Sequence, residues 1–266
     1  MSTTLLGAAV VGIVPRLAAR VRRHPVRRFW RGFGTTVSIV TTEYEVANPD
    51  EVDVLNALGD DIELRTDQAI AAHATSGYFI SYGMALALAD LRAHFARRRR
   101  CAVRIVGDKR HGEQAAGSSL VVVGSPANNH YLQRFLPDFS RRYPMLAQFR
   151  WEARPAGVSL VLPDGQELVP DVDETESGYD YALVSRFALD PTGDRRIVVL
   201  SGCNMWVTEA AALFVLDPGM LKLLPRTALA PAANVAFVLR TRVSFGRADA
   251  PELYGTKETP AFIYDL

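Results

Sequence analysis

The chain has 266 residues and a formal net charge of +1; hydrophobic residues make up 48% and charged residues 22%. That length and balance suit one large α/β domain or two small ones. A near-neutral total excludes a surface built throughout to hold nucleic acid. Two cysteines, Cys101 and Cys203, are too few for a disulfide framework and fit a reducing cytoplasm. Each lies at the end of a strand-like run, so both are expected to be small buried residues.

The N-terminal segment, residues 1–34, carries seven arginines and no Asp, Glu or Lys. Its apolar run, Leu5–Val14, is far short of the about 20 residues that cross a bilayer. The arginines follow that run, whereas a secretory signal places its charge first. One reading is a shallow membrane contact, with Arg16, Arg20, Arg23, Arg27 and Arg31 at lipid headgroups and Phe29, Trp30 and Phe33 at the interface. The segment would then place a cytoplasmic protein on the inner membrane face. The other reading is an arm without that role. Pro15 and Pro25 oppose one long helix here.

A single α/β domain is expected from residue 35 to 266. Thr35–Tyr44 is β-branched and follows Gly34, so it predicts a strand. "YFISYGMALALADLRAHFARRRR" predicts a helix, ending in Arg97–Arg100 where cations suit the negative end of the helix dipole. Cys101–Gly107 and Ser118–Gly124 predict strands, the second apolar enough to be covered on both faces. A helix is expected from about Asn129 to Tyr143. Gly157–Asp171 predicts an inserted hairpin around Pro163-Asp164-Gly165, and the acidic run 171–176 a solvated turn. "YDYALVSRFAL" and Arg195–Leu200 predict strands, "SGCNMWVTEAAALFVL" a turn into a helix, and Asn234–Phe245 a long last strand. The tail "ETPAFIYDL" can add an edge. The alternation predicts a three-layer, mostly parallel sheet with helices on both faces.

Ligands in such sheets bind at the carboxyl ends of strands. Three loops carry suitable residues just ahead of helices, where free backbone N–H groups and the helix dipole attract anions. They supply Ser76 and Gly77; Gly124, Ser125, Asn128 and Asn129; and Ser201, Gly202, Asn204 and Thr208. Ser125 and Ser76 suit a phosphate, and Asn128 and Asn129 a ribose or base edge. The same residues also serve as ordinary turn and cap positions. Neither G-x-G-x-x-G nor the Walker lysine pattern occurs. Cys203 sits between a strand and a helix as a nucleophile does, but Ser201 and Met205 replace the flanking glycines of a nucleophile elbow. Glu209, in the first turns of a helix, is a candidate carboxylate for N-glycosidic cleavage. The five histidines lack metal-ligand spacing, so no metal site is expected.

"SSLVVVGSPANN" and "RRIVVLSGCNMWVTEAA" resemble the broad Rossmann-like group of bacterial nucleotide sensors and nucleotide-cleaving domains, over roughly residues 35–215. "YFISYG" is similar to the first motif of TIR domains, which bind or cleave NAD. That motif opens the TIR fold on its first strand, whereas here Val37–Val40 precedes it, which excludes a plain TIR assignment. The resemblance implies a nucleotide, nucleoside-derivative or NAD-like ligand and a sensing or regulatory role. Beside this stand an N-glycosidase or NAD-consuming hydrolase using Glu209, and an assembly protein working through self-association or a partner protein.

Overall fold

Short runs of β-branched and aliphatic residues without helical spacing become the central strands. The computed structural model describes residues 24–42, 44–45, 71–73, 78–80, 82–98, 101–108, 117–126, 129–142, 148–153, 156–172, 177–189, 195–230, 232–244, 247–255 and 263–265. In chain order the elements begin with α1 (Pro25–Phe29), β1 (Thr36–Thr41), β2 (Tyr44–Glu45), β3 (Ala71–His73), β4 (Tyr78–Ile80) and α2 (Tyr82–Ala96). They continue with β5 (Ala102–Gly107), β6 (Ser119–Gly124), α3 (His130–Arg142), β7 (Gln148–Ala153), β8 (Ala156–Val161) and β9 (Glu167–Leu168). The last are β10 (Gly178–Ala188), β11 (Arg196–Gly202), α4 (Met205–Leu216), a 3-10 turn at Met220–Leu223, β12 (Val235–Ser244), β13 (Arg247–Ala248), β14 (Glu252–Leu253) and β15 (Ile263–Asp265).

The main sheet runs β13-β12-β10-β11-β6-β1-β5, with β14 and β15 also on β12. Pairing is parallel from β5 through β1 and β6 to β11, and antiparallel from β10 outward. Five of the seven strands on this path share one direction, so this α/β sheet is mostly but not wholly parallel. The four parallel strands, taken in chain order, lie 2-1-3-4 in space. The chain leaves β1 toward one side of the sheet and leaves β6 toward the other.

Side chains alternate cleanly across the sheet. Val37, Ile39, Val121, Val123, Val198 and Leu200 join one hydrophobic cluster with α1, α2 and α4. Val40, Leu120, Val122, Ile197 and Val199 join another with Leu132 of α3 and with Val158, Leu160, Leu162 and Leu168 around the β8–β9 hairpin. That hairpin lies where expected: Gly165 takes the positive φ of its turn, and Asp164 accepts the Gln166 N–H. It belongs to a separate three-stranded sheet with β7, so the mixing of the main sheet arises at β10 instead.

Two expectations are corrected. Tyr78–Ile80, read as the opening of a helix, forms β4 in a small sheet with β2 and β3, and the helix begins at Tyr82. The aromatics expected at a membrane interface lie inside: Phe29, Trp30 and Phe33 are 0%, 2% and 4% exposed. Pro25 stands at the first position of α1, where its missing N–H costs nothing and its fixed φ suits a helix. The turn that follows aims the aromatics at α2, where Trp30 meets Phe29, Phe33 and Phe95 edge-on. The indole N–H donates to the Val215 carbonyl at 3.0 Å. Among the described residues the core therefore includes Val26, Phe29, Trp30 and Phe33. Arg27 and Arg31 remain exposed, while Arg16, Arg20 and Arg23 lie outside the described residues. No helix among the described residues is long and apolar enough to cross a membrane.

Arg186 fastens α1 to the sheet. It is fully buried on β10, and its guanidinium donates to the carbonyls of Phe29, Ala228, Ala230 and Ala233 at 2.7–3.1 Å. It also lies over the Phe29 ring, 5.0 Å from the centroid. Burial, and then the neighbouring Arg196, lower its pKa to about 10, so it stays charged near neutrality. Replacing it with methionine removes the side-chain donor from the buried Phe29 and Ala228 carbonyls, while Ala230 keeps the Ala233 N–H and Ala233 keeps Arg196. Arg186→Met is expected to cost about 3 kcal/mol and to lower the melting temperature by roughly 10 °C, as measured by circular dichroism. A drop below about 2 °C would show that the carbonyls are satisfied without it.

Candidate functional site

The carboxyl ends of the four parallel strands are in register. Thr41 is level with Gly107 and Val123, and Ser201 with Gly124. The edge thus gathers Thr41 and Thr42 after β1, Asp108 after β5, Gly124 and Ser125 after β6, and Ser201 to Cys203 after β11. The order in which the parallel strands are laid down reverses between β1 and β6, and a sheet opens a crevice at such a point.

Gly124 is what lets the crevice close tightly. Its φ of +146° lies outside the range L side chains favour. A Cβ there would stand 2.8 Å from Thr42 Oγ1 and 3.2 Å from Asn129 Nδ2. Asn129 is buried and caps α3, accepting the Leu132 N–H at 3.0 Å through Oδ1. Its amide donates back to the Val123 carbonyl, at 3.4 Å. Ser125 Oγ donates to the Cys203 carbonyl at 3.3 Å, tying the β6 and β11 loops together.

Two aspartates that the sequence reading passed over complete the edge. Asp108 is buried, donates its backbone N–H to the Thr41 carbonyl at the end of β1, and accepts the His130 N–H at 2.6 Å through Oδ2. It therefore reaches across the end of β1 to the first residue of α3. Asp180, fully buried on β10, accepts the N–H of Tyr181 at 2.8 Å and of Val207 at 3.4 Å. It supplies the cap that the Asn204 side chain does not make at the start of α4. The helix N-termini expected to cradle a phosphate are thus occupied by the protein's own carboxylates, which suit the positive ends of helix dipoles.

The other candidates divide. Ser201 and Thr41 are buried, and their hydroxyls have no hydrogen-bond partner among the described residues. By strand alternation they face opposite sides of the sheet. Gly202 gives α4 room to turn: a Cβ would stand 2.5 Å from Val207 Cγ1 and 2.7 Å from Thr208 Oγ1. Thr208 spends its hydroxyl on the Asn204 carbonyl at 3.2 Å. The Cys203 thiol is buried, and burial followed by the nearby Asp180 pushes its pKa well up, which opposes thiolate chemistry. Cys101 is only partly buried, contrary to expectation. Glu209 stands on α4, where its pKa is raised by burial and then by Asp90 of α2. None of the edge residues is among its named charged neighbours. Ser76, Gly77 and Asn128 lie outside the described residues. No family model, curated protein or solved structure matches the chain.

Two outcomes follow from this geometry. Gly124→Ala forces a methyl onto Thr42 and an unfavourable φ, so it is expected to cost about 1–3 kcal/mol in urea denaturation. A neutral result would mean that the β1–β6 crevice is looser than its distances indicate. Asp180 is raised to about 7, first by burial, against the lowering effect of the N–H groups of Tyr181, Val207 and Asn204. Since the folded value exceeds the unfolded one, the folded state holds this proton more tightly. The Asp180 contribution is complete below about pH 4 and is lost as pH rises through about 7. Asp180→Asn should therefore gain on the wild type across that window by on the order of 2 kcal/mol, read as the difference between their urea midpoints. A gap that does not change with pH would refute the assignment.

Proposed function

We propose that this chain is a doubly wound, Rossmann-like domain that binds a nucleoside derivative in the crevice between β1 and β6, in a sensing or regulatory role. The observation that carries the reading is the gathering of Asp108, Thr42, Ser125 and Asn129 around the point between β1 and β6 where the laying-down order of the parallel strands reverses. The 2-1-3-4 strand order is that of flavodoxin-like doubly wound sheets, and clusters on both faces of the sheet support the layered reading. The chemistry favours the sugar and base of such a ligand over its phosphates. Carboxylates and hydroxyls accept and donate to ribose hydroxyls, whereas a phosphate approaching either helix would meet Asp108 or Asp180.

A thermal-shift screen of nucleosides against their mono-, di- and triphosphates tests this, with chromatography of every hit. A nucleoside present at about 100 times its dissociation constant should raise the melting temperature by roughly 5–10 °C, and its phosphates less. Asp108→Asn should diminish the shift. Release of free base would turn the reading to the N-glycosidase alternative, in which Glu209→Gln is then the variant to assay. No shift with any of these compounds would remove the nucleoside reading altogether.

A further inference from the structure

The two borders of the main sheet are treated differently. On one, the outer side of β12 is covered along its length by pieces of the chain's own C-terminal region. β15 pairs at Val235–Phe237, β14 at Leu239–Arg240 and β13 at Val243–Ser244. The other border is β5, and among the described residues no strand pairs with its outer side. Ala102 and Asp108 direct their N–H groups to Thr35 and Thr41 at the two ends of β1. By the alternation of a strand, Val103, Ile105 and Gly107 turn theirs outward. Side chains do not hide this border either: Ala102 and Arg104 are exposed, and Ile105 is 45% exposed, unusual for a large aliphatic residue.

Charge selects what can lie there. Arg104 is exposed on the strand, and Arg97 is exposed at the end of α2 just before it. The sequence places Arg99 and Arg100 ahead of β5 and Lys109 and Arg110 behind it. Arg98 is turned inward, donating to the Phe33 carbonyl at 2.8 Å, and the acidic neighbour Asp108 is buried on His130. A second copy paired antiparallel at Arg104–Ile105 would bring two arginines close together, which is destabilising. A polyanion without a backbone of amides could meet the cations but not the open N–H and C=O groups.

We infer that the outer border of β5 is a docking strand for an extended acidic segment of a partner protein, which pairs with Val103 and Ile105 and sets carboxylates beside Arg97 and Arg104. Fluorescence polarisation tests this with a labelled octapeptide alternating glutamate and valine, against its lysine–valine counterpart, using the full chain. The glutamate peptide is expected to bind at least roughly tenfold more tightly. Ile105→Pro removes one outward N–H and leaves the bonds to β1 in place; it should weaken binding roughly tenfold. Arg104→Glu, a surface change that keeps the fold, should reverse the preference between the two peptides. The inference is overturned by equal affinity for both peptides, by no binding, by binding that neither variant alters, or by heparin competing equally well against wild type and Ile105→Pro. Concentration-dependent dimers in sedimentation that Ile105→Pro abolishes would also overturn it, since they would assign the border to a second copy.

Discussion

A buried guanidinium that has exchanged water for four carbonyls sets the terms for one whole face of this protein. Taking a cation out of water is costly, and the cost is recovered only where good acceptors surround it. Arg186 finds them at the end of α1 and along residues 228–233, two stretches far apart in sequence. Because its acceptors are backbone oxygens, their positions are constrained by the chain and not by side-chain choice. With α1 fixed, Trp30 reaches Val215 and the aromatic group closes over α2. The packing of α1, α2 and α4 on the sheet is therefore linked to one polar residue on β10.

The strands could be read because the sheet covers both their faces. Val37–Val40, Leu120–Val123 and Ile197–Leu200 show continuous apolar character and need no partner to be recognised. The Gly124-Ser125 and Ser201-Gly202 loops could also be placed at the carboxyl edge, since each follows such a run. Asp108 and Asp180 could not be singled out in the same way. One aspartate after a strand, or within a polar strand start, looks like any solvated acid until topology brings a helix N-terminus to it. The signal available for Asp108 was the rule already applied to Ser125, namely a polar residue immediately after an apolar strand. The Phe29, Trp30 and Phe33 pattern is ambiguous for a different reason. Aromatics interleaved with arginines satisfy a membrane interface and a short helix packed on a core equally well, and only tertiary contacts separate the two.

The edge itself carries an internal economy of charge. Both helices that start there have a carboxyl group of the protein's own at their positive ends, Asp108 at α3 and Asp180 at α4. These carboxyl groups accept backbone N–H bonds. The Ser125 hydroxyl is bonded to the Cys203 carbonyl, and the hydroxyls of Thr41 and Ser201 are buried.

The unequal borders of the sheet have a consequence for how this protein can stack. Amyloid-like growth by strand addition requires two open borders, so that each newcomer offers a fresh template to the next. Here the short strands β13, β14 and β15 close one side of the sheet with the molecule's own tail. Any strand added at β5 consumes the border of the main sheet that the molecule's own tail does not cover. Within the main sheet, the described strands therefore admit a terminating pair at β5.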